Sequence, residues 1–261
     1  MPSSLLAKVN LAITPALLFL GSLVGVIAFG WPLIVTNASG ISASLAPVLT
    51  AVIISIALLV VLTAISAGSL NSKSIALLGL LSALIAAARV IGAHAFGVEP
   101  MWAFIVIAGR ALGPVIGFSA GSLGMASSAL ITGGIGPWLP FQMFAAGWVG
   151  LFAGLIPISK NKFEIPLLAT YGAISAVAVR LLLNLWFWPT AAVGDLAIAF
   201  VPGESIGTNL VKLVSFSVVT SLSFDIPRAV ITFMIVLVVA RPMLRTLRRI
   251  TRPAQFVAEV K

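Results

Sequence analysis

Residues 47–67 read PVLTAVIISIALLVVLTAISA, an uninterrupted run without a charged side chain. A helix needs about 20 apolar residues to cross the ~30 Å hydrocarbon core of a bilayer. The run is continuous rather than alternating, which excludes a membrane β-strand. Comparable runs recur along the chain, and only 8% of its 261 residues are charged while 61% are hydrophobic. A soluble domain carries about a quarter charged residues, so this chain cannot cover a water-facing surface. The expectation is an all-α integral membrane protein, with the lipid bilayer as its solvent.

On that length scale the spans fall at 13–35, 47–67, 74–95, 99–111, 112–131, 140–158, 165–188 and 221–240. This gives about eight transmembrane helices. The fourth is short, and Gly109, Gly113 and Pro114 interrupt its boundary with the fifth. It is therefore either a full span or a re-entrant element. The apolar N-terminal stretch is longer than a signal-peptide core and reads as a retained span.

Lys and Arg in the connections set the orientation, because they stay in the cytoplasm. An inside N-terminus keeps Lys8, Lys73, Arg110, Lys160, Lys162 and the tail from Arg241 to Lys261 in the cytoplasm. The outer connections then hold Lys212 beside Glu99, Asp195 and Glu204. Both termini are expected to be cytoplasmic, in a multi-pass membrane protein. Two connections, 36–46 and 189–220, become long outer loops, the second apolar enough to cap the bundle. The formal charge of +9 sits at span ends and in the tail, as topology signals do, so no nucleic-acid partner is expected. In RPMLRTLRRITRP, apolar residues at helical spacing suggest an amphipathic basic helix on the membrane face.

The chain contains no Cys and one His, His94. Thiol chemistry, disulfides and multi-histidine metal sites are excluded. No catalytic residue, metal ligand or cofactor is expected. There is no GxxxxGK[ST] phosphate loop, so any use of ATP must come from partners.

Arg89, Arg180 and Arg228 lie inside apolar spans, where a charge is expensive and marks a functional hypothesis. They are 16, 18 and 13 residues from the cytoplasmic anchors Lys73, Lys162 and Arg241. At 1.5 Å per residue that is roughly 24, 27 and 20 Å, a common height in the outer part of the membrane. Asn184 lies one turn above Arg180, and Asp225 lies three residues before Arg228. His94 and Glu99 fall at the outer end of the third span. The group reads as a polar pocket opening outward, suited to anionic or hydrogen-bond-accepting ligands; snorkelling of each Arg to the headgroups is the alternative. Trp102, Trp138, Trp186 and Trp188 lie at the same level. WFWP, from Trp186 to Pro189, reads as an interfacial belt. Trp138, held between Pro137 and Pro140 in GIGPWLPFQM, reads as a fixed recognition surface with Gln142 facing the pocket.

Small residues spaced by four, Gly113, Gly117 and Gly121 in the fifth span and Ala146, Gly150 and Gly154 in the sixth, predict close helix packing inside the bundle. The third span carries a similar face through Ala76, Gly79, Ala83 and Ala87. Internal packing and contact with another membrane subunit stand equally open for it.

From Ile75 onward, LLSALIAAARV, FIVIAGRALGPVIGFSAGSLGMASSALI and GIGPWLPFQMFAAGWVGLFAGL resemble the substrate-binding S components of energy-coupling factor (ECF) vitamin transporters. The last resembles the family's G-P-W-x-P-x-Q-M run, and the resemblance covers about two thirds of the chain. It implies a six-helix core from residue 74 to about 248 that binds a vitamin-like small molecule under outer loops. It also implies docking, through Ala83 and Ala87, to a membrane coupling subunit driven by two ATPases, and it places Trp138 and Gln142 over the substrate. The substrate-binding candidates are thus Arg89, His94, Trp102, Trp138, Gln142, Arg180, Asn184, Asp225 and Arg228. A corrinoid or flavin-like molecule is the substrate guess. The expected division is an N-terminal helix pair in 1–70, a substrate-binding core in 71–248 and a basic tail in 249–261; the pair is a departure from the family pattern.

Two other classes remain. An integral membrane enzyme acting on lipid or prenyl phosphates could hold phosphate with arginines, but no paired carboxylates or His-based acid–base set appears. A standalone secondary transporter would ordinarily show inverted repeats, and none is found.

Overall fold

The computed structural model describes residues 3–34, 45–68, 72–92, 97–157, 162–191 and 197–251. Among these residues every regular element is a helix: α1 Ser3–Phe29, α2 Trp31–Ile34, α3 Ala46–Gly68, α4 Ser72–Gly92, α5 Met101–Leu112, α6 Pro114–Thr132, α7 Leu139–Leu155, α8 Glu164–Ala191 and α9 Ile206–Thr251. Helix is the solution lipid requires, because it satisfies backbone groups within one segment. α3, α4, α6, α8 and α9 are long and apolar enough to cross a bilayer, and Thr14–Phe29 of α1, together with α5 and α7, adds shorter apolar stretches.

Side-chain pairs fix the direction of the chain. Arg89 near the end of α4 meets Ser128 near the end of α6, so these two helices run parallel. Gly109 and Gly117 touch across the tight turn at Gly113, which makes α5 and α6 an antiparallel hairpin. Asn184 meets Ser217 and Ser221, while Glu164 meets Arg248, so α8 and α9 are antiparallel. Residues 97–100, 133–138 and 197–205 therefore share one end of the bundle, called the upper end. The segments joining α5 to α6 and α7 to α8 share the lower end.

α5 is a complete 12-residue helix at the centre of the bundle. Met101, Ala103, Ile105, Val106, Ile107 and Ala108 on it have no solvent exposure. At about 18 Å it is shorter than the hydrocarbon core. It is covered by protein on every side rather than by lipid.

α6 and α7 approach backbone to backbone. A Cβ on Gly150 would stand 2.1 Å from the Gly117 carbonyl oxygen, and one on Gly117 would stand 2.4 Å from that of Gly150. The predicted small-residue packing is thus internal for these two helices. α4 behaves differently: Leu77, Leu81 and Ile85 are buried, while Ala76, Gly79, Ala83 and Ala87 face outward. A Cβ on Gly79 would meet nothing within 4 Å.

The N-terminal helices share one hydrophobic core with the rest. Trp148 on α7 donates to Ser22 Oγ on α1 at 2.9 Å, and Phe29 packs edge-on to Phe141 with centroids 5.0 Å apart.

Three expectations need correction. Residues 206–220 are not part of a loop, because α9 already begins at Ile206 and runs 46 residues. At about 69 Å it exceeds the ~40–45 Å of a whole bilayer. The basic stretch after residue 241 continues the same helix, with Leu244 and Leu247 buried against the bundle rather than facing lipid. Finally, WFWP is no belt: Trp186 and Trp188 are buried, and Trp188 Nε1 donates to the Ile198 carbonyl at 2.6 Å. Trp188, Ala199, Leu213 and Phe216 form a small apolar cluster of their own. From the connection itself, Ala199 belongs to this cluster, Ile198 and Phe200 pack on it, and Phe200 meets Trp31 edge-on with centroids 6.4 Å apart.

Candidate functional site

At the upper end a cavity of about 120 Å³ lies among the helices. Its polar lining is Arg89 from α4, Glu99 from the preceding connection, Trp102 from α5, Gln142 from α7, Arg180 from α8 and Arg228 from α9. Met125, Ala176, Val179 and Leu183 supply the apolar part. Five helices and a loop thus each place a polar side chain at one cavity, where Arg89, Arg180 and Arg228 meet.

Arg228 is the most heavily engaged cation. Its Nε donates to Glu99 Oε2 and its Nη2 to Glu99 Oε1, both at 3.0 Å, the two-pronged geometry that guanidinium and carboxylate share. Its Nη1 also donates to Asp225 Oδ1, one turn away on α9. Trp102 Nε1 donates to Glu99 Oε2 at 2.7 Å. Burial alone would raise the Glu99 carboxyl pKa. Arg228 beside it, the hydrogen bonds from Arg228 and Trp102, and the more distant Arg180 outweigh this and hold it below the ordinary value. The connection that carries Glu99 is pinned to α9 at Gly97, whose φ of 86° suits glycine. A Cβ there would stand 2.3 Å from the Phe224 carbonyl oxygen.

The other two arginines make no ion pair within 4 Å among the described residues. Arg89 Nη1 donates to Ser128 Oγ at 2.9 Å, and its Nη2 to Gln142 Oε1 at 3.4 Å. Arg180 Nε is buried with no hydrogen-bond partner among the described residues.

Of the residues singled out in the sequence, Arg89, Trp102, Gln142, Arg180 and Arg228 line the cavity, and Asp225 touches it through Arg228. Asn184 does not line it; its amide donates to Ser217 Oγ at 3.1 Å and Ser221 Oγ at 2.9 Å and ties α8 to α9. Trp138 also stays out. It is 42% exposed and folds back on its own turn, with Nε1 donating to the Gly134 carbonyl at 3.1 Å. Pro137 and Pro140 fix a turn, but that turn does not carry the indole into the cavity. His94 lies outside the described residues. Glu99 and Ser128 are partners that the sequence-based set omits. Glu99 is placed with the polar group by its position at the outer end of the third span, but not among the binding candidates. Ser128 carries no such signal.

A second ion cluster closes the lower end. Glu164, at the start of α8, accepts from Arg110 Nε at 2.8 Å and from Arg248 at 2.5 and 3.2 Å. Arg110 Nη1 also donates to the Ile156 carbonyl at 3.3 Å.

Residues 73–240 match the family model described as the ECF transporter, substrate-specific component. The match spans more than half of the chain, so the chain belongs to that family. It is a multi-pass membrane protein of a transport family rather than an enzyme family. No curated protein and no solved structure matches.

Proposed function

We propose that the chain binds a vitamin or related micronutrient at the outer face of a prokaryotic plasma membrane and passes it inward. The coupling subunit and two ATPases that power such a step are its partners. Both termini lie in the cytoplasm, so the upper end faces out. Residues 71–248 form the binding core, 1–70 an appended helix pair and 249–261 a cytoplasmic tail. The observation that carries this reading is the cavity itself, where polar side chains converge inside an otherwise apolar bundle. Buried polar groups on this scale are rare within membranes and cluster along substrate paths.

The binding residues are Arg89, Trp102, Gln142, Arg180 and Arg228, with Asp225 and Glu99 orienting Arg228. Asn184 supports the wall behind them. Trp138 belongs to the exposed rim, and His94 is a binding candidate by its place in the sequence alone. Ligand pockets usually measure about 300–1,000 Å³, so 120 Å³ holds one polar end of a ligand. A whole corrinoid or flavin requires the upper end to open. The outward face of α4 with Ala83 and Ala87 is the docking surface for the coupling subunit, because small side chains let another helix approach closely.

Binding of a vitamin panel to purified protein in nanodiscs tests the first half of this reading. One member is expected to bind tightly without being turned over, and a panel without any ligand would contradict it. Ala83→Trp tests the second half: co-purification with the coupling subunit should fail while ligand binding persists.

A further inference from the structure

The site contains more positive charge than its own carboxylates can balance. Three guanidiniums, from Arg89, Arg180 and Arg228, gather at one cavity. The two carboxylates beside the cavity, Glu99 and Asp225, are both engaged by Arg228, and the further one at this end among the described residues, Glu204, is paired with Lys212. Arg89 is hydrogen-bonded to a hydroxyl and an amide oxygen, neither of which carries charge. Arg180 Nε is buried and lacks any acceptor among the described residues. One positive charge is therefore left without a counterion, inside a bundle where an uncompensated charge costs several kcal/mol.

Resting on the proposed binding role, we propose that the transported solute carries a single anionic oxygen group, a carboxylate, which seats between Arg180 and Arg89. The count sets the charge: one negative group neutralises the surplus, whereas a phosphate dianion would overshoot it. The geometry sets the position, because Arg228 already has both Glu99 oxygens and leaves Arg180 as the free fork. A guanidinium binds a carboxylate through two parallel hydrogen bonds. The cavity size agrees, since 120 Å³ accommodates a carboxylate and its first carbons but no complete vitamin. Met125, Val179 and Leu183 then meet the apolar carbons beside the charged group. Glu99 sets the selectivity from the opposite side: its fixed negative charge orients Arg228 and repels a second anionic group.

The test uses the full-length protein in phosphatidylcholine nanodiscs, so that no net-anionic lipid supplies the charge. Solutes are added as carboxylate and amide pairs (nicotinate and nicotinamide, biotin and its amide, pantothenate and its alcohol), with cationic thiamine and neutral riboflavin alongside. The unfolding midpoint is read at constant ionic strength. A carboxylate is expected to raise the midpoint where its neutral counterpart does not. Arg180→Gln is expected to lower the affinity for it about tenfold or more, the loss of a charge-assisted bidentate contact, with Arg180→Lys restoring part of it. The midpoint without solute checks that each variant folds. Equal stabilisation by the neutral member, or binding of thiamine or riboflavin alone, overturns the anionic class but leaves a solute-binding protein. Carboxylate binding that survives Arg180→Gln overturns the assigned seat. If no solute of any charge shifts the midpoint, the binding role itself fails along with the class.

Discussion

The two ends of the bundle use the same side chains and complete them differently. At the lower end Glu164 is gripped by Arg110 and Arg248, and both its oxygens are used. At the upper end two carboxylates converge on Arg228, while Arg89 rests on neutral oxygens and Arg180 Nε has no acceptor among the described residues. A buried arginine is therefore not a mark of function in this chain. What distinguishes the upper end is a cavity bordered by a cation that the protein leaves unbalanced.

The comparison breaks most readily at the lower end. Removing one partner of a buried ion cluster strands the others, at about 3 kcal/mol. Glu164→Ala should lose about that much unfolding free energy while solute affinity in the folded protein stays within twofold. A large affinity loss in that variant would mean that the two ends are not separate in role.

The next largest effect belongs to Arg89. Its hydrogen bonds are to neutral groups of the protein, so Arg89→Ala should cost little stability. A lost charged hydrogen bond to the solute is worth about 1.5–3 kcal/mol, or about 10- to 150-fold in Kd by titration calorimetry. A stability loss as large as that of Glu164→Ala would place Arg89 with the structural cluster instead.

A third effect depends on pH. Folding lowers the Glu99 pKa, so its contribution is complete above the unfolded value near ~4.3 and disappears as pH falls through the lowered folded value. The midpoint difference between wild type and Glu99→Gln should be constant from neutral to mildly acidic pH, at about 1 kcal/mol. It should shrink only in strong acid. A difference that vanished already near pH 6 would contradict the Glu99–Arg228 pairing.

The smallest effect is expected at Trp138. The indole packs on its own turn at the exposed rim, so Trp138→Ala should change affinity by about twofold or less, within the range of an exposed contact. A tenfold loss would show that the turn closes over the solute when it binds.

Much of this was legible in the sequence, for identifiable reasons. Spans follow from the length of apolar runs, so each long helix has a predicted counterpart. The common level of Arg89, Arg180 and Arg228 follows from counting residues to Lys73, Lys162 and Arg241 at the span ends. The Asp225–Arg228 pair is a local contact three residues apart. Close packing of α6 on α7 follows from Gly117 and Gly150, because lipid offers no hydrophobic drive and small residues substitute for it. What was not legible is long-range. Glu99 and Arg228 are 129 residues apart, and nothing local announces their pairing. Arg110 and Arg248 carry the same charges as topology signals, which hides their grip on Glu164. The first turns of α9 contain Gly207, Thr208, Asn209 and Lys212, a composition that reads as loop until packing of Leu213 and Phe216 against Trp188 holds it helical. In GIGPWLPFQM the prolines foretold a rigid turn, but its direction is set by the Trp138 bond to Gly134, which spacing does not encode.

The proposed seat of the solute is the upper cavity and not the lower cluster. Native mass spectrometry of protein taken from cells grown in rich medium measures this directly, with Arg180→Gln and Glu164→Gln beside the wild type. One small solute per chain is expected in the wild type and in Glu164→Gln, and none in Arg180→Gln. The same solute at equal occupancy in Arg180→Gln would contradict this seat.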